Sequence, residues 1–300
     1  GAAGRYNGES LGKDYELPNA RAYAETCAAL GGIFWNWRLL ALAGEARYAD
    51  LLERSLYNGF LAGVSLSGDL YFYVNPLSYD GQGEGDPWEP AHRKGLYQRQ
   101  PWYNCTCCPP NVQRMFASLP GYFYSTSAEG LWVHLYDENE LSWRLQDGTP
   151  LHLRQETRYP WQGEVALTLT PAHAVEFTLY LRIPAWAAGA RAAVNGEPAS
   201  ATAEAGRYLA LHRAWQPGDR VQLSLPMPAL PMVSNIHLSE NRGNVALQRG
   251  PIVYCLEAHD NAGFSVLDAM LDPRTGINAE HQPGLLGGVT VLRAEGAAPA

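Results

Sequence analysis

The sequence has few charged residues and no cluster of one sign. Of its 300 residues, 22 are Lys or Arg and 30 are Asp or Glu, so the formal net charge is -8. The Lys and Arg residues form no basic block, which disfavours a nucleic acid or an anionic membrane surface as a partner. A neutral small molecule or an oligosaccharide fits this composition better.

Long apolar runs are also absent. No stretch approaches the roughly 20 apolar residues of a membrane span, and the opening sequence GAAGRYNGES lacks the charged and apolar regions of a signal peptide. Because 46% of the residues are hydrophobic, the chain can still bury substantial cores. We therefore expect a globular protein of two or three domains.

Cysteine is scarce and unevenly placed. Three of the five cysteines lie in NCTCCPPN, residues 104–111, and the others are Cys27 and Cys255. An odd number with this clustering is a poor disulfide framework for so long a chain. Reduced thiols or a metal site are expected instead, which favours a reducing compartment, and we predict a cytoplasmic location.

The first part of the chain has helical periodicity. Apolar residues at three-to-four spacing predict one helix from Ala20 to Ala43 and a second from about Ala46 to Leu61, with Gly44 ending the first. Proline suits the first turn of a helix, so the two prolines after the cysteines predict a third helix from Pro109 to about Ser118.

After residue 123 the hydrophobic period changes to two. In VEFTLYLRIP, apolar residues alternate with Glu176, Thr178, Tyr180 and Arg182, which predicts a strand with one buried face. EVALTLT and VQLSLPM repeat the pattern and favour an antiparallel β-sandwich. We predict a multidomain α + β protein: a helical domain at 1–123, a β-sandwich at 124–229 and a smaller β-rich domain at 230–300.

The cysteine cluster has the chemistry of a metal site. Cys108 precedes the prolines at or near the start of a helix, whose amides and dipole would favour thiolates at Cys107 and Cys108. Two adjacent cysteines cannot complete a tetrahedral zinc shell, and ETC, with Glu25 and Cys27, is the obvious second source. Residues one apart lie about 200° apart on a regular helix, so joint ligation requires irregular backbone or the edge of the helix.

Three interpretations of the cluster remain open from the residues alone. It could be a structural zinc site, a set of buried cysteines or reactive catalytic sulfur. Glu9, in YNGES, could serve as an acid and base, although a single glutamate in a loop is a weak signal.

A family resemblance changes this balance. The order NGESLGKDYELPN, AYAETCAA, LYNGFLAG, YFYVNPL and PWYNCTCCPPN resembles glycoside hydrolase family 127, the β-L-arabinofuranosidase family. The resemblance covers residues 1 to about 123 and continues less specifically through LRIPAWA and LQRGPIVYCLE. It implies the C-terminal part of an (α/α)6 barrel followed by antiparallel β-sandwich domains. Because such a barrel needs about twelve helices, we expect its N-terminal half to lie outside this sequence, and a homodimer is a further expected assembly.

The resemblance also implies an activity and a site. Members of this family are retaining exo-glycosidases that hydrolyse terminal β-L-arabinofuranosides with a zinc-bound cysteine. Carried over by motif, the resemblance implies Zn2+ ligands at Glu25, Cys27, Cys107 and Cys108. It also implies that Cys107 is the nucleophile and Glu9 the acid/base. Glu53 and Tyr73 match residues of the sugar pocket.

Other outcomes remain open. One alternative is a related glycosidase acting on another unusual pentose-derived sugar. A second is a carbohydrate-binding or scaffold protein in which a structural zinc site joins the helices. Cys105 matches no ligand role and is expected to pack structurally, and Cys255, on a predicted strand, is expected in the core.

Overall fold

The computed structural model describes residues 2–3, 12–20, 22–79, 98–103, 105–272 and 274–297. Glu9, the expected acid/base, lies outside these described residues. The chain divides into two compact units. The first unit contains Gly1–Gly32, Ser55–Met115 and Ala229–Ala300, and the second contains Ile33–Arg54 and Phe116–Pro228.

Three α-helices match the helical segments predicted from periodicity. They are α1 (Thr26–Ala43), α2 (Ala46–Ser55) and α3 (Cys108–Ser118). A π-helical turn, Leu56–Phe60, and a 3-10 turn, Leu61–Gly63, prolong α2. The first helix begins later than predicted because the residues before it are extended.

Most of the remaining described chain forms short strands. In chain order they are β1 (Ala2–Ala3), β2 (Ala22–Tyr23), β3 (Tyr124–Ser127), β4 (Gly130–Val133), β5 (Asn139–Arg144), β6 (Pro150–Thr157), β7 (Glu164–Pro171), β8 (Val175–Ile183), β9 (Arg191–Val194), β10 (Glu197–Pro198), β11 (Arg207–Trp215), β12 (Asp219–Ser224), β13 (Ala229–Val233), β14 (Val245–Arg249), β15 (Ile252–Tyr254), β16 (Met270–Leu271), β17 (Asn278–Gln282), β18 (Val289–Arg293) and β19 (Gly296–Ala297).

Two sheets make up most of the second unit. One has the order β10-β9-β12-β7-β6-β5 and the other the order β11-β8-β4-β3. Their pairings are antiparallel except between β4 and β8. Alternate apolar residues of both sheets are buried, and the Gln155 amide of β6 donates to the Tyr124 hydroxyl of β3 at 2.6 Å. The two sheets therefore contact each other across a shared core, as the period-two pattern predicts.

The other face of β8 is not simply exposed, in contrast to the expectation from alternation. Arg182 has no exposed surface, and its guanidinium pairs with Asp50 and Glu53 of α2, each at 2.5 Å. Trp37 of α1 packs on the His134 ring with a centroid separation of 5.5 Å. Helical residues of the same unit thus form a second layer on this sheet. Alternation in a single strand cannot reveal such a layer, because it indicates only the more apolar face.

The first unit contains the three-stranded sheet β13-β14-β15 and three two-stranded pairs. Asn58, in the π-helical turn, donates to the Pro251 carbonyl at 2.9 Å and accepts from the Val253 amide at 2.7 Å. These bonds fix the turn to β15. Cys255 is exposed here, so its expected place in the core is wrong. Among the described residues, no helix has both the length and the apolar character that a membrane crossing requires.

Candidate metal centre

Glu25 and Cys27 reach the same site because Glu25 stands just outside the helix. Glu25 forms an isolated antiparallel bridge with Val74, and α1 begins at the next residue. The Thr26 amide donates to the Tyr73 carbonyl at 3.0 Å, and the Thr26 hydroxyl donates to the Phe72 carbonyl at 2.7 Å. This anchoring holds the chain at the helix edge, which is the geometry that joint ligation requires.

Cys107 and Cys108 lie where α3 begins. Cys108 is the first helical residue, one position before the predicted start, and Cys107 lies immediately outside. The Asn111 amide donates to the Cys107 carbonyl at 3.2 Å. The prolines at positions 109 and 110 occupy the first turn, where their missing amide hydrogens leave no helical bond unmade.

These two segments bring four ligand atoms together. The carboxylate of Glu25 and the sulfurs of Cys27, Cys107 and Cys108 lie within 4.8 Å of one another. The Cys27–Cys108 and Cys107–Cys108 sulfur separations are 3.5 and 3.7 Å, and Glu25 Oε1 lies 3.5 and 3.7 Å from the sulfurs of Cys107 and Cys108. A tetrahedral zinc ion with bonds of roughly 2.1–2.3 Å separates its ligand atoms by roughly 3.6–3.8 Å. The observed spacing fits that shell.

The site is closed on one side and open on the other. Cys108 has no exposed surface and Glu25 is 9% exposed, whereas Cys27 and Cys107 are half-buried. Cys105, two residues before Cys107, is exposed. Cys27 and Cys107 are thus both partly open to solvent. The exposure of Cys105 corrects the expectation that this residue is packed away.

Burial and sulfur contacts control the protons of the cluster. The hydrogen-bonding contact between the Cys27 and Cys108 sulfurs lowers the pKa of Cys27 to about 7, and Asn111 contributes to the shift. Burial raises the pKa of Cys107 to about 12. The bond to Cys27, followed by burial, raises the pKa of Cys108 well above that of an ordinary thiol. The helix start alone thus does not offset the rise in the pKa of Cys107 and Cys108, and a bound cation would favour their thiolates.

Asn111 is a contributor that sequence reasoning missed. Its side-chain amide donates to the Cys27 sulfur at 3.2 Å, so one residue of α3 contacts both halves of the cluster. Outer-sphere hydrogen bonds of this type orient metal ligands. The signal was present in the sequence, because Asn111 follows Cys107 by four positions and α3 brings such residues to one face.

Tyr73 lies beside the open side of the cluster. It is 3% exposed, and its hydroxyl donates to the Cys105 sulfur at 3.6 Å. Burial raises the pKa of this hydroxyl far above that of an exposed tyrosine. The Tyr103 hydroxyl accepts from the Tyr73 amide at 3.1 Å and lies 2.7 Å from the Tyr71 carbonyl, which fixes the strand-like segment that carries Tyr73.

Glu53 has different surroundings from Tyr73. It belongs to the second unit, is 1% exposed, and contacts the Arg182 guanidinium and the Tyr159 hydroxyl. Glu25, Cys27, Tyr73, Cys107 and Cys108 all belong to the first unit. The expected sugar-binding role of Glu53 stays a prediction, since its described contacts are those of a buried ion pair.

Comparison with known proteins matches the chain to a class of enzymes. Three family models match in succession: the β-L-arabinofuranosidase GH127 catalytic domain at residues 1–121, the GH127 middle domain at 130–227 and the glycoside hydrolase family 127 C-terminal domain at 231–288. The chain therefore belongs to glycoside hydrolase family 127.

Individual relatives agree with the family assignment. A non-reducing end β-L-arabinofuranosidase of Bifidobacterium longum subsp. longum is 36% identical over 295 residues, covering 95% of this chain and 43% of the relative. A GH127 β-L-arabinofuranosidase from Geobacillus stearothermophilus T6 has a crystal structure that matches with TM-score 0.88 and 42% identity, covering 97% of this chain and 45% of that one.

A further solved structure, of a GH127 β-arabinofuranosidase, matches with TM-score 0.89 and 38% identity, covering 99% of this chain and 46% of that one. The chain thus spans a little under half the length of these relatives.

Proposed function

We propose that this chain carries the catalytic cysteine of a retaining exo-glycosidase that hydrolyses terminal β-L-arabinofuranosides. The activities of its relatives and its family membership support this substrate class. The arrangement of Glu25, Cys27, Cys107 and Cys108 supports the chemistry, because three sulfurs and one carboxylate are a zinc ligand set.

The residues present fit Zn2+ in both spacing and donor type. Glu25, Cys27 and Cys108 would hold the ion, and Cys107 would be the fourth ligand. Bound zinc would mainly stabilise the three cysteines as thiolates at neutral pH. Asn111 then keeps the Cys27 sulfur in place through its hydrogen bond.

The observation that carries a catalytic rather than a structural site is the exposure of Cys107. Structural zinc sites are usually closed. Here Cys107, the expected nucleophile, is half-buried beside the exposed Cys105, while Cys108 is fully buried. A sugar can approach only a sulfur that solvent can approach.

In the proposed reaction, the Cys107 sulfur attacks the anomeric carbon and forms a covalent glycosyl intermediate. Glu9 protonates the leaving oxygen and then, as a base, activates the water that releases the sugar from Cys107. Two displacements at the same carbon retain its configuration. Tyr73, beside the sulfurs, and Glu53 are the proposed sugar-pocket residues on this chain.

We further propose that residues 1–123 complete an (α/α)6 barrel together with an N-terminal half supplied from outside this sequence. The described part of this region contains three α-helices, far fewer than such a barrel needs, and the relatives are more than twice as long as the matched region. Domains at 124–229 and 230–300 would follow the barrel, with ranges close to those of the middle and C-terminal family models. A homodimer and a cytoplasmic location stay predictions.

The test combines metal content with paired substitutions. We expect one zinc per chain, and loss of hydrolysis of an aryl β-L-arabinofuranoside in Cys107→Ser, while Cys105→Ser keeps its zinc and most of its activity. Circular dichroism checks the fold of each variant. The assays use the chain completed with its N-terminal half. If that parent protein shows no turnover, and Cys107→Ser loses zinc and helical structure together, a structural zinc site in a carbohydrate-binding scaffold becomes the better account.

A further inference from the structure

The proposed function gives no role to Cys105, the exposed cysteine beside the cluster. Its sulfur lies 3.9 Å from the Cys107 sulfur and accepts a hydrogen bond from the Tyr73 hydroxyl at 3.6 Å. It is not one of the four grouped ligand residues. An uncommitted thiol thus lies in contact with the half-buried cysteine that the proposed reaction uses as its nucleophile.

We propose that Cys105 and Cys107 form a reversible disulfide when the protein meets a peroxide, and that this bond switches the site off. The loss of activity rests on the proposed function of Cys107, but the formation of the bond does not. The inference assigns Cys105 as the resolving cysteine of a redox-sensitive pair.

Backbone geometry allows this pair and disfavours its nearest rival. Residues two apart have Cα atoms at most roughly 7 Å apart, and a disulfide needs roughly 4.4–6.8 Å. Cys107 and Cys108 are adjacent, so their Cα atoms are held at roughly 3.8 Å, below that range. Cys105 and Cys107 also lie outside α3, so their side chains can rotate to close the 3.9 Å sulfur gap without unwinding the helix.

Access selects the same pair over Cys27 and Cys108. Their sulfurs are 3.5 Å apart, closer than those of Cys105 and Cys107. Cys108, however, has no exposed surface, and the Cys27 sulfur is held by the Asn111 side chain. A bridge between Cys27 and Cys108 would therefore need a fully buried sulfur, whereas Cys105 is exposed and Cys107 half-buried, and oxidation of cysteine follows exposure.

The chemistry balances with hydrogen peroxide as the oxidant. The Cys107 thiolate attacks one peroxide oxygen, and the O–O bond breaks. Hydroxide departs, and Cys107 becomes a sulfenic acid. The Cys105 sulfur then attacks the sulfenic sulfur, the S–S bond forms, and the hydroxyl leaves as water with the Cys105 proton. In total one thiolate and one thiol lose two electrons, and one peroxide is reduced to one water and one hydroxide.

The bond has two consequences for the site. It removes Cys107 from the ligand set and blocks it as a nucleophile, leaving Glu25, Cys27 and Cys108 for the metal. It also prevents further oxidation of Cys107 to the sulfinic acid, which thiol reductants do not reverse. Cys105 therefore makes inactivation by peroxide recoverable.

Graded hydrogen peroxide treatment of the zinc-loaded protein tests the inference. Free thiols are blocked with N-ethylmaleimide, and peptide mass spectrometry then locates the oxidised cysteines. We expect a Cys105–Cys107 bridge, release of zinc to a chelating dye and complete loss of turnover, with bridge and activity both reversed by dithiothreitol and added zinc.

Two variants make the result specific. Cys105→Ser should form no bridge, and its Cys107 should proceed to sulfinic acid with a loss of turnover that dithiothreitol cannot reverse. Cys255→Ser, the matched control, removes another exposed cysteine and should behave as the parent protein does.

Several outcomes would overturn the inference: a bridge between Cys27 and Cys108, sulfinic acid on Cys107 with Cys105 still free, or full recovery in Cys105→Ser. With normal turnover before treatment, these outcomes leave the proposed function standing. A Cys105–Cys107 bridge in protein that continues to hydrolyse substrate would instead overturn both the switch and the assignment of Cys107 as nucleophile.

Discussion

Replacing Arg182 by Met should strongly destabilise the second unit, because this arginine neutralises a buried carboxylate. Its guanidinium donates to Glu53 and Asp50 at 2.5 Å and to the His134 carbonyl, and it has no exposed surface. Methionine retains most of the side-chain length and apolar contact. The substitution therefore removes mainly the charge and the hydrogen bonds.

The magnitude follows from the burial of the partners. Without Arg182, the Glu53 side chain, 2% exposed, would keep only the Tyr159 hydroxyl, which lies 2.6 Å from its Oε1 atom. Breaking a buried ion pair by removing one partner costs about 3–5 kcal/mol, because an uncompensated charge stays buried. Asp50 is 14% exposed and adds less. We expect the free energy of unfolding to fall by about 3–5 kcal/mol.

Urea unfolding followed by tryptophan fluorescence measures this change. Arg154→Met is the matched control, since Arg154 is 49% exposed and pairs with Glu140 and Glu156 at 3.9 and 3.4 Å; it should cost about 0–1 kcal/mol. Adding Glu53→Gln to Arg182→Met should recover part of the loss by removing the buried charge. An Arg182→Met variant as stable as Arg154→Met would refute this reasoning.

Three further predictions concern the metal centre. Zinc binding at pH 8 should release about two protons, from Cys107 and Cys108. Below pH 7, where Cys27 is protonated as well, the number should be closer to three. Calorimetry in buffers of different ionisation enthalpy counts the released protons. A count of zero would contradict the sulfur ligand set. Asn111→Ala should weaken zinc binding about 10–100-fold in chelator competition, with little change in helix content; unchanged affinity would remove its positioning role. Tyr73→Phe should retain the zinc and raise the KM for an aryl β-L-arabinofuranoside, whereas an unchanged KM would exclude its hydroxyl from sugar binding.

The four-residue cluster shows how far sequence reasoning reaches. Sulfur content and the ETC and CCPP motifs identified the cluster. Helix geometry predicted that Glu25 and Cys27 could share a metal only with irregular backbone or at the edge of a helix. The structure has that edge, because Glu25 bridges Val74 immediately before α1. The partner segment at Val74 is distant in sequence, so no local pattern could have identified it.

The errors have physical causes of the same kind. Alternation in β8 placed Arg182 on the polar face, but helical residues of the same unit cover that face and supply its counterions. Cys255 lies on an apolar stretch that resembles a core strand, yet it follows the end of β15 and is exposed. Cys105 has no motif partner, and only the three-dimensional path of the loop reveals that its sulfur contacts Cys107. Each of these errors concerns which element covers a residue, and a sequence pattern does not contain that information.

The most direct test of the central claim is to identify the atom that carries the sugar during turnover. The protein is loaded with zinc, mixed with an aryl β-L-arabinofuranoside, quenched in acid within the turnover time and analysed by peptide mass spectrometry. The account predicts one pentosyl group on the peptide that contains Cys107, located on that sulfur by fragmentation and absent in Cys107→Ser. A pentosyl group on a carboxylate, or on Cys105 or Cys108, would contradict it.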